Sequence, residues 1–144
     1  MNCTKAVSHS RIKVKENRKK AVFRNGDRDT FEVSQVDDCL ITDGVRCDKL
    51  VTKKGVASVL VELKGVDVAH ACDQLFGTAV HENVVPLLED KVGFLVICSR
   101  SPRFDGFVAK AKQKAARQFK AGFHIITNEG EFDIERVVAI DGPY

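Results

Sequence analysis

The spacing of apolar positions changes several times along the chain, and each change predicts an element. Residues 1–10 are expected to fray. Ile12 and Val14, then Ala21-Val22-Phe23, predict two short strands, and Asn25-Gly26-Asp27 predicts a turn. Phe31–Ile41 reads as a strand with Val45–Thr52 as its partner, because Asp43-Gly44 suits a two-residue hairpin whose central positions take φ > 0. Residues 57–64 form a third strand of mostly aliphatic residues. Val68, Ala71, Cys72, Leu75 and Ala79 then recur at helical spacing, with Asp67 placed to cap them. Val92–Cys98 is a nearly continuous apolar run, expected of a strand buried on both faces. A helix from Asp105 to about Ala121, closed by Gly122, precedes strands at Phe123–Thr127 and Phe132–Ile140, with a turn at Asn128-Glu129-Gly130. Strands, helix, strand, helix, strands is the order of an α/β domain with a mixed sheet, here expected to be one domain over residues 1–144.

Composition narrows this little, since 44% hydrophobic and 30% charged residues exclude only a disordered tail and a membrane protein. No apolar run nears the about 18 residues that span a bilayer. The start lacks the apolar stretch of a secretory signal, and the five cysteines are odd in number and scattered. Reduced thiols and a cytoplasmic location are the expectation. The net charge of +3 is uninformative, but its distribution is not. Residues 1–30 hold nine Lys/Arg against three Asp/Glu, whereas residues 31–100 hold seven against eleven. Basic ends around an acidic centre suit a chain that grips a polyanion and gathers carboxylates around a cation; an unevenly solvated surface is the plainer explanation.

The chemistry concentrates between Asp37 and Gln74. Alternation puts Ser58, Leu60, Glu62 and Lys64 on one face of their strand and Val59, Val61 and Leu63 on the other. Asp48 stands on the preceding strand, across a turn containing Lys53-Lys54-Gly55, so that Asp48 and Glu62 can converge. With Asp43 and Gly44 as loop residues, Cys39 pairs with Asp48 and Asp37 with Leu50, which brings Asp37, Cys39 and Asp48 to one face. Clustered carboxylates repel unless a hard cation joins them, and Mg²⁺ takes one or two carboxylates while retaining several waters. A cation so held can supply hydroxide and stabilise charge on a phosphodiester, with a lysine to orient water.

Asp48, followed fourteen positions later by Glu62-Leu63-Lys64, resembles the PD-(D/E)xK motif of restriction-endonuclease-like nucleases. The helix that follows, with Gln74 beside His70, is similar to the helix trailing that motif in the exonuclease branch. The resemblance covers about residues 31–100 and lacks the Tyr that follows the Gln there: the stretch here is Gln74-Leu75-Phe76-Gly77-Thr78. It implies a mixed β-sheet flanked by helices, and hydrolysis of phosphodiester bonds in DNA with Mg²⁺ or Mn²⁺. It further implies Asp48 and Glu62 as metal ligands, Asp37 as an additional upstream acid, Lys64 as the catalytic lysine and Gln74 as its support. DNA is expected over RNA, and a homodimer or larger assembly is expected because the chain lacks an obvious target-recognition domain.

Other readings stand beside this one. Glu62 and Lys64 suit a surface ion pair on an edge strand. Asp67, His70 and Gln74 suit a solvated helix stripe. Cys39, Cys47, His70 and Cys72 are zinc-ligand types, but at no recognised spacing. In the later helix Phe107, Val108, Ala111, Ala115 and Phe119 share a face, with Lys110, Arg117 and Lys120 opposite and Lys114 at the border. Such a stripe suits phosphate-backbone contacts, which Lys13, Lys15, Arg18, Lys19 and Lys20 would extend; Phe23 and Phe104 are the sparse candidates for base stacking. The rival functions are a catalytically inactive nuclease-fold module binding nucleic acid or protein, and an inhibitor whose acidic centre mimics nucleic acid.

Overall fold

The computed structural model describes residues 2–65, 67–99 and 106–140, with the backbone alone at 64 and 65. In chain order the strands are β1 (Thr4–Val7), β2 (Arg11–Glu16), β3 (Lys19–Arg24), β4 (Phe31–Gln35), β5 (Lys49–Lys53) and β6 (Ala57–Gly65). Helix α1 (Val68–Ala79), β7 (Val92–Cys98), helix α2 (Gly106–Phe119), β8 (Gly122–Thr127), β9 (Glu129–Phe132) and the one-turn helix α3 (Ile134–Val137) follow. The protein is mixed α/β, with three helices and a six-stranded mixed sheet in the order β1-β4-β5-β6-β7-β8. Strands β1, β4, β5 and β6 pair antiparallel, while β6, β7 and β8 run parallel because a helix crosses between each pair. A second sheet, β2-β3-β9, joins β3 to β9 in parallel.

Two apolar layers hold these elements together. One face of the large sheet, through Leu60, Phe94, Val96 and Phe123, packs on Ala71, Cys72, Leu75 and Phe76 of α1 and on Ala111 and Ala115 of α2. The opposite face, through Val59, Val61, Leu63, Leu95 and Ile97, packs on Ile12, Val14, Phe23 and Phe132 of the small sheet and on Ile134 and Val137 of α3. The period-2 alternation of β6 therefore sorts its residues between two cores. All seven residues of β7 are buried, as a strand covered on both sides requires. Gly93 and Gly122 admit α3: a Cβ at Gly93 would sit 2.9 Å from the Val137 carbonyl oxygen, and one at Gly122 only 2.6 Å from that of Ala139.

Helix α1 begins where expected, with the Asp67 side chain accepting from the His70 N–H at 3.2 Å. Four expectations are corrected. Thr4–Val7 does not fray but pairs with β4, helped by a Thr4–Ser34 hydroxyl bond at 2.7 Å. The strand over Phe31–Ile41 stops at Gln35 and its partner spans only β5, with Gln35 opposite Lys49 and Ser34 opposite Leu50. Residues 36–48 form a folded loop, because Val36 and Ile41 both bury completely and the Ile41 N–H turns back onto the Val36 carbonyl at 3.0 Å. Asp43-Gly44 thus lies within a long loop, and the register differs from the two-residue hairpin by three positions, an odd number that exchanges faces.

The third correction is at the end of α2, where Lys120 rather than Gly122 takes the left-handed conformation (φ 50°). The Ala121 N–H reaches the Ala115 carbonyl at 3.0 Å and the Lys120 N–H that of Ala116 at 3.2 Å. Asp105 and Phe104 lie outside the described residues. The fourth is Phe132–Ile140, read as a strand: β9 ends at Phe132 and α3 follows, its Ile134 and Val137 spaced for one helical face against the sheet. No helix among the described residues is long and apolar enough to cross a membrane.

Candidate functional site

Strand β6 pairs with β5 so that Val61 opposes Lys49, and the Asp48 N–H donates to the Val61 carbonyl at 3.2 Å. Asp48 lies just before β5 and Glu62 just after Val61 on β6, beyond the last paired position of that ladder. Both carboxylates are buried, at 3% and 2% exposure. One Asp48 oxygen accepts from the Leu63 N–H at 2.7 Å, which fixes that side chain across the two strands. Of the convergence expected from the sequence, the structure gives the Asp48 carboxylate reaching the residue after Glu62, near the carboxyl end of the parallel strands, where open α/β sheets bind ligands.

Helix α1 holds the Asp48 segment from the side. The Gln74 amide donates to the Arg46 carbonyl at 3.0 Å. The Thr78 hydroxyl accepts from the Cys47 N–H at 2.8 Å and donates to the Gln74 carbonyl at 2.6 Å. Gln74 thus acts on the backbone two residues before Asp48. A cleft of about 330 Å³ opens beside these groups, lined by Asp37, Gly44, Arg46, Asp48, His70 and Gln74. Glu62 is not among its lining residues.

Asp37 reaches the cleft by a different route from the one expected. It comes from the folded loop rather than from a strand paired at Leu50, and it carries an ion pair with Arg46 at 2.7 Å. Asp38 takes the same guanidinium at 3.1 Å, and the third arm of Arg46 donates to the Gly44 carbonyl at 2.9 Å. Arg46 is the site residue that pattern reasoning missed. Its signal was present: a lone cation among Asp37, Asp38, Asp43 and Asp48 is positioned to neutralise some of them.

Lys64 lies in β6 where the β6–β7 register slips between Glu62 and Gly65. A bulge interrupts strict alternation, so the shared face with Glu62 inferred from spacing does not follow there. The Lys64 side chain itself is outside the described part of the structure.

The cysteines do not assemble a zinc site. Cys39 is bonded to Cys3 with their Cα atoms 5.7 Å apart, a correction to the expectation of five reduced thiols and of Cys39 beside Asp48. Cys47, Cys72 and Cys98 are free and buried. Burial, and then the negative charges of Glu62 and Asp48, push the Cys47 thiol far up; burial pushes that of Cys72 up to about 12. Among the described residues no group of three or more His, Cys, Asp or Glu side chains is placed to hold a metal ion. Asp48 and Glu62 remain as two buried carboxylate residues.

On α2, Lys110, Lys112, Lys114 and Arg117 are exposed, as is Lys120 just beyond it, and the helix carries no acidic residue. None of the five makes an ion pair with a described residue, and Lys114 lies 4.9 Å from the centre of the Phe76 ring. The β2–β3 hairpin is less free. Arg11 and Arg24 pair with Glu131 at 2.7 and 3.0 Å, and Lys20 with Glu129 at 3.3 Å. Phe23 is completely buried, which removes it as a stacking platform.

Compared with known proteins, the chain matches no family model, no curated protein and no solved structure.

Proposed function

We propose that this protein is a restriction-endonuclease-like nuclease that hydrolyses phosphodiester bonds in DNA with Mg²⁺ or Mn²⁺. The observation that carries the reading is the burial of Asp48 and Glu62 near one another, with the Asp48 carboxylate bonded to the N–H of Leu63, the residue after Glu62, beside a cleft that Asp48 lines. It stands in the strand-turn-strand-helix setting that the D…ExK resemblance demands. Two hard carboxylate donors suit a cation that takes one or two carboxylates and keeps its waters. Asp48 and Glu62 would hold that ion, which supplies an activated water and charge stabilisation at phosphorus.

The rest falls to the chain's own groups. The Leu63 N–H orients Asp48, while Gln74 and Thr78 anchor the segment leading into it. Lys64, the motif's lysine, would position the attacking water. Arg46 balances Asp37 and Asp38, leaving Asp37 a wall of the cleft rather than a third ligand. Lys110, Lys112, Lys114, Arg117 and Lys120 would contact phosphates without reading sequence, a role favoured by an acid-free helix face.

The test is nicking of supercoiled plasmid DNA with Mg²⁺ or Mn²⁺. Asp48→Asn, Glu62→Gln and Lys64→Ala should each cut the rate by about 10²–10³-fold, the scale of losing one group that stabilises transition-state charge. DNA retention in a filter assay should survive Lys64→Ala. Wild-type protein that binds DNA yet never nicks it identifies an inactive nuclease-fold module instead.

A further inference from the structure

We propose that the Cys3–Cys39 disulfide is a thiol–disulfide exchange site that clamps the loop forming the wall of the Asp48 cleft. The proposal is independent of the reaction that the cleft performs.

Residues 36–48 supply Asp37, Gly44, Arg46 and Asp48 to that cleft. Around Cys39 most of the loop's fastenings are local: Cys39 N–H to the Val36 carbonyl at 3.2 Å, Asp38 N–H to that of Ile41 at 3.1 Å, and the Arg46 guanidinium to Asp37 and Asp38. Asn83 adds a bond to the Leu40 carbonyl, and Gln74 and Thr78 hold the far end at Arg46 and Cys47. The disulfide ties the middle of this loop to the segment entering β1, the edge strand, across 36 positions of sequence. Around it, the Gln35 N–H donates to the Cys3 carbonyl at 2.8 Å, and the Gln35 amide donates to the Asp37 carbonyl at 2.8 Å. Lys49, next to Asp48, donates to the Gln35 side-chain oxygen. Bridge, edge strand and cleft wall are thus one connected unit.

The same bridge is open to a small reductant. A cleft of about 590 Å³, the largest of those described, is lined by Asn2, Cys3, Thr4, Lys5, Gln35 and Lys49 among others. Both cysteines are only partly buried, whereas the three free thiols are buried and two of them are held protonated by burial. Lys5 and Lys49 give the cleft a positive wall that attracts an anionic thiolate. The ligand class is therefore a low-molecular-weight thiol carrying negative charge, such as glutathione.

Its thiolate attacks the Cys3 sulfur, forming a mixed disulfide as the Cys3–Cys39 bond breaks. Cys39 leaves as a thiolate and takes up a proton. A second thiolate then attacks the sulfur of the small thiol in the mixed disulfide and releases Cys3, which is protonated in turn. Two electrons and two protons pass to the protein, and one oxidised small-thiol disulfide is produced. Val36 and Ile41 remain in the core after this step, so the loop loosens without the fold being lost.

The experiment compares air-purified protein with the same protein equilibrated with reduced glutathione. Alkylation under denaturing conditions should label three cysteines before reduction and five after it. Amide exchange over residues 36–48 should quicken at least about tenfold on reduction, with residues 92–98 unchanged, since local opening is set by local fastenings. Cys3→Ser should exchange like the reduced wild type. Five labelled thiols before reduction, or unchanged exchange over residues 36–48 after it, overturns the proposal. Should Cys3→Ser fail to fold, the wild-type comparison decides alone. Loss or retention of nicking plays no part in this outcome, so the clamp and the nuclease reading fail separately.

Discussion

Replacing Glu62 by Gln tests whether two like charges share one place in the sheet. Two carboxylates about 5 Å apart, with an effective dielectric of about 20, repel by about 3 kcal/mol. The Leu63 N–H at the Asp48 carboxylate offsets part of this, leaving a net cost of about 1–2 kcal/mol in the metal-free protein. Glu62→Gln removes that cost with little change of shape. In EDTA the variant should therefore melt about 3–6 °C above the wild type, taking about 3 °C per kcal/mol for a chain of this size. Adding Mn²⁺ at about 100 times its dissociation constant should stabilise the wild type by about 2.7 kcal/mol. The variant, missing one donor, should gain much less, so that the order of melting temperatures reverses. The assay is thermal unfolding followed by circular dichroism, with and without Mn²⁺. A variant that melts no higher than wild type in EDTA, and responds equally to Mn²⁺, would refute both the charge pairing and its use as a cation site.

Two further predictions concern the frame around the site. Lys120→Gly removes a side chain from a left-handed position that costs a non-glycine residue about 1 kcal/mol, partly offset by glycine's freedom when unfolded, and should raise the urea midpoint slightly. If Lys120 contacts phosphate, the same variant should lower the salt dependence of DNA binding by about one ion. His124 has its pKa lowered below 6.5 by burial, while its ring bonds the Val137 carbonyl at 3.0 Å. The unfolded chain therefore binds more protons near pH 6 than the folded one, so stability should fall as pH drops through 6.5, and His124→Gln should flatten that slope in urea titrations from pH 7.5 to 5.

How much of this was legible beforehand depended on whether a signal was local. Val92–Cys98 and Val68–Ala79 were readable because an unbroken apolar run and an Asp-capped helical period each specify their own element. The pairing of β5 with β6 was readable for a similar reason, since a tight turn at Lys54-Gly55 joins the two strands and leaves the register little freedom. Asp37 was misplaced because Asp43-Gly44 resembles a hairpin turn, whereas the burial of Val36 and Ile41 decides the path of the chain. No spacing rule links Cys3 to Cys39; only the pairing of β1 with β4 brings them together. Helix α3 escaped detection because Val137 and Val138 favour strands in isolation, and tertiary packing overrides that preference.

The parallel pairing of β3 with β9 has a consequence for biosynthesis. Lys20 lies opposite Glu129, so the small sheet cannot close until β9 has left the ribosome, long after β3. Until then Val59, Val61, Leu63, Leu95 and Ile97 lack part of their cover and present an oily surface to solvent or to other nascent copies. Slower translation of the stretch between β3 and β9 would prolong that interval, and chaperone demand during synthesis should rise with it.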